Sequence, residues 1–373
     1  MAGFAGPAYI PAMLRSLRHW PVVAALLVYA VVVGCTLFKP AAAETAEPRR
    51  PTTYPVKLAD GLPIRAIGMQ IQRVDWIDRY KKSIDEIADV GVDAVKFVVD
   101  ARQENGSSSR IYLDMRMTPT PDQLGELIRY AKKKNLRVIL MPIVLLDAPR
   151  KSTEWRGRIE PERWDEWWKS YRDMLKHFAW IAQGNGADVL VVGSELVSTE
   201  GKTEEWNQTI DEVREVFKGM LTYSSNWDHY THVKFWDRLD LIGMNSYWTL
   251  GETRDVKIDA IKANWRKIQG ELFAFQKTVN KPIFFTEVGW CSMANMAKEP
   301  WDYTKDVEEA PTDLDLQKRL YEAFFESWHG RPELGGFSIW EWDPDTGGPE
   351  DRGYTPKGKP AEAVLRAWLA KKW

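Results

Sequence analysis

From Ile64 to the C-terminus one pattern governs the chain: a short β-branched apolar run, a polar turn, then an amphipathic helix. Eight such runs stand out, at Ile64–Ile71, Ala94–Val99, Arg137–Leu145, Asp188–Gly193, Met220–Ser224, Leu241–Asn245, Pro282–Thr286 and Gly335–Ile339. Helical periodicity fills the intervals over Trp76–Val90, Thr120–Lys134, Pro161–Gln183, Glu204–Phe217, Asp255–Val279, Asp313–Trp328 and Ala361–Lys371. Thr120-Pro121-Asp122 and Glu160-Pro161-Glu162 place a proline at a first helical turn, where its missing N–H costs nothing. The shortest helix is expected around His232–Arg238, between the fifth and sixth strands. Continuously apolar strands alternating with helices require a parallel sheet covered by helices. Eight repeats in about 310 residues predict a closed (β/α)8 TIM barrel, an α/β fold forming a single domain over 61–373. An open dinucleotide-binding sheet is disfavoured, because no G-x-G-x-x-G follows the first strand.

The residues before the barrel read as an address. Arg15, Arg18 and His19 precede an uncharged run from Pro21 to Gly34, too short for the ~20 residues of a bilayer-spanning helix. A basic region followed by such a run is the pattern of a secretory signal, expected over 1–35, and a start at Met13 gives it more usual proportions. Val32-Val33-Gly34-Cys35 is similar to a bacterial lipobox, in which Cys35 is lipidated and anchors an exported envelope lipoprotein. Cleavage near Ala41-Ala42-Ala43, giving a secreted protein, and an uncleaved anchor are the alternatives. All three put the domain outside the cytoplasm, with 36–60 as a tether.

Composition narrows the partners. A formal net charge of −2 gives no electrostatic reason to expect nucleic acid. The two cysteines, Cys35 and Cys291, are too few for a disulfide framework, and the five histidines show no metal-ligand spacing. No metal and no cofactor are expected, and the protein is expected to be a monomer. The chain holds 19 tryptophans, a surplus that suits core packing and equally a cleft that stacks sugar rings.

Chemistry in such a barrel sits at the C-terminal ends of the strands. The fourth strand runs into Gly193-Ser194-Glu195-Leu196 and the seventh into Phe285-Thr286-Glu287-Val288-Gly289-Trp290, each placing one glutamate at the end of an uncharged run. A carboxylate there is costly unless it is paired or used. The alternative for either is an ion pair with Lys96 or Arg65. Strands four and seven face each other across the mouth, and two opposed carboxyls suffice for glycosidic cleavage.

The glutamate motifs resemble those of clan A glycoside hydrolases, and the chain is most similar to glycoside hydrolase family 113, whose characterised members are mainly β-1,4-mannanases. The likeness spans roughly residues 64–345. It is carried by Gly193-Ser194-Glu195-Leu196, Leu221-Thr222-Tyr223 leading to Asn226-Trp227, Asp240-Leu241-Ile242-Gly243 leading to Tyr247, and Glu287-Val288-Gly289-Trp290 continuing to Pro300-Trp301. It implies a retaining hydrolase of β-1,4-linked glycans, mannan first and glucan next, with Glu195 as general acid/base and Glu287 as nucleophile. Ser194 departs from the clan, most of whose members carry Asn there to bind the sugar 2-hydroxyl.

The resemblance further implies that Tyr247 holds Glu287 and that Trp340 is a platform under the sugar. Glu341, Trp342 and Asp343 then make the last loop both polar and aromatic. Asn226, Trp227 and Asn245 are candidate hydroxyl readers or turn residues, and Trp290 is expected to line the cleft. Lys96 and Asp100 on the second strand and Gln70 on the first are expected to point into or near the mouth. Trp164, Trp167, Trp168 and Trp180 share a helical spacing that reads as packing, and Cys291, lacking a histidine partner motif, reads as an unreactive thiol. Two other classes fit the same pattern: a catalytically silent carbohydrate-binding lipoprotein and an envelope scaffold.

Overall fold

The computed structural model describes residues 61–373. The signal segment, Cys35 and the tether to residue 60 lie outside the described residues. Eight parallel strands alternate with helices: β1 (Ile64–Ile71), β2 (Ala94–Gln103), β3 (Arg137–Leu146), β4 (Val189–Ser194), β5 (Met220–Ser224), β6 (Ile242–Asn245), β7 (Ile283–Val288) and β8 (Leu334–Ile339). Hydrogen bonding orders them β5-β4-β3-β2-β1-β8-β7-β6. The ring closes between β5 and β6 through a bridge at Ser225 and Met244, where Ser225 N–H donates to Gly243 O at 3.1 Å and Asn245 N–H to Ser225 O at 3.0 Å. A two-residue strand, Ile111–Tyr112, adds antiparallel to the far end of β2.

The helices are α1 (Ile77–Val90), α2 (Pro121–Lys133), α3 (Trp164–Asn185), α4 (Thr203–Val216), α5 (Ile258–Val279), α6 (Leu314–Trp328) and α7 (Pro360–Leu369). Their ends follow local chemistry. Thr120 and Gln123 form a reciprocal capping box on α2 behind Pro121, and Asp313 caps α6 by accepting from Leu316 N–H at 2.9 Å. The helix expected around His232–Arg238 shrinks to one 3-10 turn, Trp236–Arg238, because those few residues lead straight into β6.

Burial divides into two layers. Alternate strand residues, among them Ile64, Ala66, Ala94, Val98, Val189 and Val191, fill the barrel interior. Their neighbours face outward and join the helices in a larger core. Trp167, Trp168, Tyr171 and Trp206 interlock there, with ring centroids 4.9 to 6.0 Å apart. The packing expected of the α3 tryptophans holds for Trp164, Trp167 and Trp168, whereas Trp180 is 65% exposed.

The strand ladder is irregular at three places, one at Gly335 in β8 and two beside the glutamates. In β4 the register shifts between Val191 and Ser194, and Val192 and Gly193 successively meet the outer layer. In β7 it shifts around Glu287, between the outward-facing Phe285 and Val288. Bulges of this kind re-aim a side chain that strict alternation would direct elsewhere. The closing seam depends on glycine: a Cβ on Gly243 would lie 2.1 Å from Tyr223 O and 2.4 Å from Thr222 Oγ1. Backbone atoms cannot give way as a side-chain tip can, so Gly243→Ala is expected to lose about 3 kcal/mol of stability, measured by urea unfolding.

Candidate active site

Both glutamates open onto one cleft of about 1080 Å³ at the C-terminal ends of the strands. Glu287 is 7% exposed and accepts a 2.8 Å hydrogen bond from the Tyr247 hydroxyl. Below it Lys96, fully buried inside the barrel, donates from Nζ to Thr286 O at 2.6 Å and lies 4.8 Å from the Trp340 ring centroid. Burial pushes the Glu287 carboxyl above its ordinary value; the Lys96 ammonium opposes this, the Glu195 charge adds to it, and the Tyr247 hydrogen bond opposes it again. Burial also pulls Lys96 down to about 8, against the pull of Glu287, Glu341 and Glu195. The Tyr247 hydroxyl is held protonated, well above its usual range, by burial and then by the Glu287 charge.

Glu195 follows β4 in a left-handed conformation, φ +54°, and its N–H donates to Ser224 O at 2.8 Å. Its carboxylate accepts from Asn245 Nδ2 at 2.6 Å and from Arg156 Nη2 at 2.5 Å. Asn245 also donates to Asn226 Oδ1 at 3.0 Å and accepts from Trp227 N–H at 2.8 Å, joining the β5 and β6 loops to the glutamate. Glu195 thus pairs with neither Lys96 nor Arg65; Arg65 binds Asp93 at the opposite end of the barrel.

On the far wall Gln70 donates to Glu341 at 2.8 Å, and the Trp340 N–H donates to Val288 O at 2.8 Å. The approach of Trp340 requires Gly289, whose Cβ would lie 1.9 Å from Trp340 O. Burial raises the Glu341 carboxyl to about 7, with Asp343 and Glu287 adding and Gln70 and Lys96 opposing. The last loop is clasped from beneath. Buried Lys359 Nζ donates to Asp351 at 2.7 Å, Gly353 O at 2.8 Å and Ser292 Oγ at 3.1 Å, while Arg352 reaches Asp306 O at 2.9 Å.

Of the residues expected at the site, Gln70, Glu195, Asn226, Trp227, Asn245, Tyr247, Glu287, Trp340 and Glu341 line this cleft. Three do not. Trp290 is fully buried and packs edge-on against Tyr321 of α6, centroids 5.2 Å apart, because the chain has already turned outward after β7. Ser194 is sealed, its hydroxyl without a hydrogen-bond partner, since the β4 bulge shifts the alternation just before it. Lys96 sits beneath the floor rather than in the cleft. Asp100 likewise turns away and binds Arg102 at 2.5 Å.

The cleft also has walls that sequence reasoning missed: Trp155 and Arg156 from the loop after β3, Trp301 and Tyr303 from the loop after β7, and Tyr354 after β8. Trp301 stacks on Trp227 at 6.0 Å and 18°, with 47% of its own surface exposed. Those loops carry no periodicity to betray them, and only the Pro300-Trp301 step was visible, through the resemblance. Among the described residues no cluster of three or more His, Cys, Asp or Glu side chains could hold a metal ion.

Two carboxyls lining one tryptophan-walled cleft at the mouth of a (β/α)8 barrel define a glycoside hydrolase site. Comparison with known proteins agrees. The chain matches the model of Glycoside Hydrolase Family 113 over residues 66–359, and it belongs to that family. A GH113 β-mannanase, AaManA from Alicyclobacillus acidocaldarius, solved in complex with ManMIm, shares 31% identity at TM-score 0.72, over 82% of this chain and 96% of that one. Another structure, of a GH113 β-1,4-mannanase, shares 28% identity at TM-score 0.75, over 83% and 99%. A Ruminococcus gnavus β-glucuronidase, at 13% identity and TM-score 0.53 over 83% and 50%, shares the fold. No curated protein matches the chain in sequence.

Cys291 borders the cleft but is 2% exposed, and burial raises its thiol far above the usual range. Alkylation by iodoacetamide at pH 8, followed at the Cys291 peptide by mass spectrometry, is expected to be negligible in the folded protein and rapid after denaturation.

Proposed function

We propose that this glycoside hydrolase cleaves β-1,4-linked glycans with retention, mannan first, using Glu287 as nucleophile and Glu195 as general acid/base. The observation that carries this reading is the contrast between two carboxyls facing one cleft. Glu287 is buried at the cleft floor, hydrogen-bonded to a hydroxyl and favoured as a carboxylate by a nearby ammonium charge. Glu195 lines the same cleft, 15% exposed in its side chain and held by Arg156 from the loop after β3 and by Asn245 at the end of β6. The β-mannanases at 28–31% identity support the choice of mannan.

In the first step Glu287 attacks the anomeric carbon while Glu195 passes its proton to the departing glycosidic oxygen. In the second, Glu195 takes a proton from water, which attacks the anomeric carbon and releases Glu287. Tyr247 orients the nucleophile, and Trp340 lies where a ring can stack over the floor. Gln70, Glu341, Asn226 and Asn245 offer donors and acceptors to sugar hydroxyls, while Trp227 gives an apolar face.

The test is turnover of β-1,4-mannan oligosaccharides, with glucan oligosaccharides for comparison, the anomer of the first product being read by NMR. Retention is expected, and an inverted product or binding without turnover would overturn the proposal. Glu195→Gln should lower kcat/KM on oligosaccharides about 10²–10⁴-fold. Glu287→Gln should lower it at least as much, both variants keeping the wild-type circular dichroism spectrum.

Lys96 supplies a further check. It opposes the burial that raises Glu287, so removing its charge raises Glu287 further. A nucleophile with a higher pKa becomes ionised only at higher pH. Lys96→Met is therefore expected to move the acidic limb of the kcat/KM profile upward by about 1 unit or more. An unmoved limb in a folded variant would separate Lys96 from the nucleophile.

A further inference from the structure

Five residues after Glu195 stands a third carboxylate that the proposed reaction does not use. Glu200 ends the 3-10 turn Val197–Thr199 and is 1% exposed. Its Oε1 accepts from the Tyr223 hydroxyl at 3.0 Å, and its Oε2 faces His229 Nδ1 at 3.3 Å. The same Tyr223 hydroxyl accepts from the Leu196 N–H at 3.0 Å. Burial pushes the Glu200 carboxyl up to about 7, and the apolar cluster around Tyr223, built of Trp206, Phe235 and Trp236, has no need of a charge.

The placement of these bonds around Glu195 is what gives them meaning. A non-glycine residue at positive φ persists only where its surroundings hold it. Two consecutive residues of β5 hold Glu195 from both sides: Ser224 O takes the Glu195 N–H at 2.8 Å, and the Tyr223 hydroxyl takes the next N–H in the chain. The Leu196 carbonyl is engaged as well, by Thr199 N–H at 2.8 Å and by its hydroxyl at 2.7 Å. His229, 3.3 Å from Glu200 Oε2 without hydrogen-bond geometry, stands next to the frame in the β5 loop, whose Asn226 and Trp227 line the cleft.

We infer that Glu200, acting through Tyr223 on the Leu196 peptide, is a positioning residue that fixes the acid/base Glu195 in its left-handed turn. The inference rests on the reading of Glu195 as acid/base. A displaced acid hurts a substrate in proportion to its need for a proton. An unactivated sugar leaving group needs one; dinitrophenolate leaves without it.

The experiment compares kcat/KM on an oligosaccharide with that on the dinitrophenyl glycoside of the same sugar, for wild type, Glu195→Ala, Tyr223→Phe, Glu200→Leu and Glu200→Gln. Tyr171→Phe is the control for stability, since its hydroxyl is equally buried and donates to Val192 O at 2.7 Å in β4, without touching Leu196. Tyr223→Phe and Glu200→Leu are expected to lose about tenfold or more on the oligosaccharide, in kcat rather than KM, and to stay within about twofold on the dinitrophenyl glycoside. Glu200→Gln keeps an oxygen for Tyr223 and should recover most of the loss. Tyr171→Phe should keep the wild-type ratio whatever its melting temperature. If Tyr223→Phe and Glu200→Leu depress both substrates alike, or keep the wild-type ratio, while Glu195→Ala favours the dinitrophenyl glycoside, the positioning role is wrong and the acid/base reading stands. If Glu195→Ala shows no such preference, the acid/base reading itself falls.

Discussion

A carboxylate sealed inside a protein costs several kcal/mol unless charge and hydrogen bonds replace the water it has lost, and Glu287 sets that demand for the whole mouth of the barrel. An ammonium answers it from below and a phenol from the side. Each answer makes a demand of its own. Lys96, buried in turn, needs the Thr286 carbonyl and lies by the Trp340 ring. Trp340 can come that close because Gly289 leaves its backbone room. The floor of the cleft is thus one linked set of compensations for a single buried charge.

The second constraint is geometric. A regular barrel strand sends alternate side chains to the axis and to the helices, and all the interior positions would ordinarily be filled by packing. At both glutamates the ladder slips, so that a side chain is released from that scheme near the end of its strand. After β4 the left-handed turn at Glu195 completes the re-aiming, and the surrounding bonds from β5 make it a fixed feature rather than a strained option.

Much of this was legible in the sequence because a strand buried on both faces has little choice of residue. All eight apolar runs became strands, and nine of the twelve residues named for the site meet in one cleft. Trp290 and Ser194 were placed by their neighbourhood to the glutamates, and that guide fails once a bulge inserts a residue or the chain turns outward. Lys96 was placed by strand alternation and kept its parity, sharing the interior face with Ala94 and Val98, but its depth could not be read from a pattern of period two. Arg156, Trp155 and Tyr354 were invisible for a different reason. They sit on irregular loops, where the position of a side chain is decided by contacts distant in sequence, such as Arg156 with Glu195.

The clasp under the last loop bears on how a glycan is received. Lys359 ties Asp351, Gly353 and Ser292 together, and Arg352 reaches across to the segment after β7, so this wall is held by polar bonds within the protein, independent of any guest. A wall that must order itself around a ligand subtracts that entropy from the affinity. Here the ordering belongs to folding, and an arriving sugar chain loses only its own freedom.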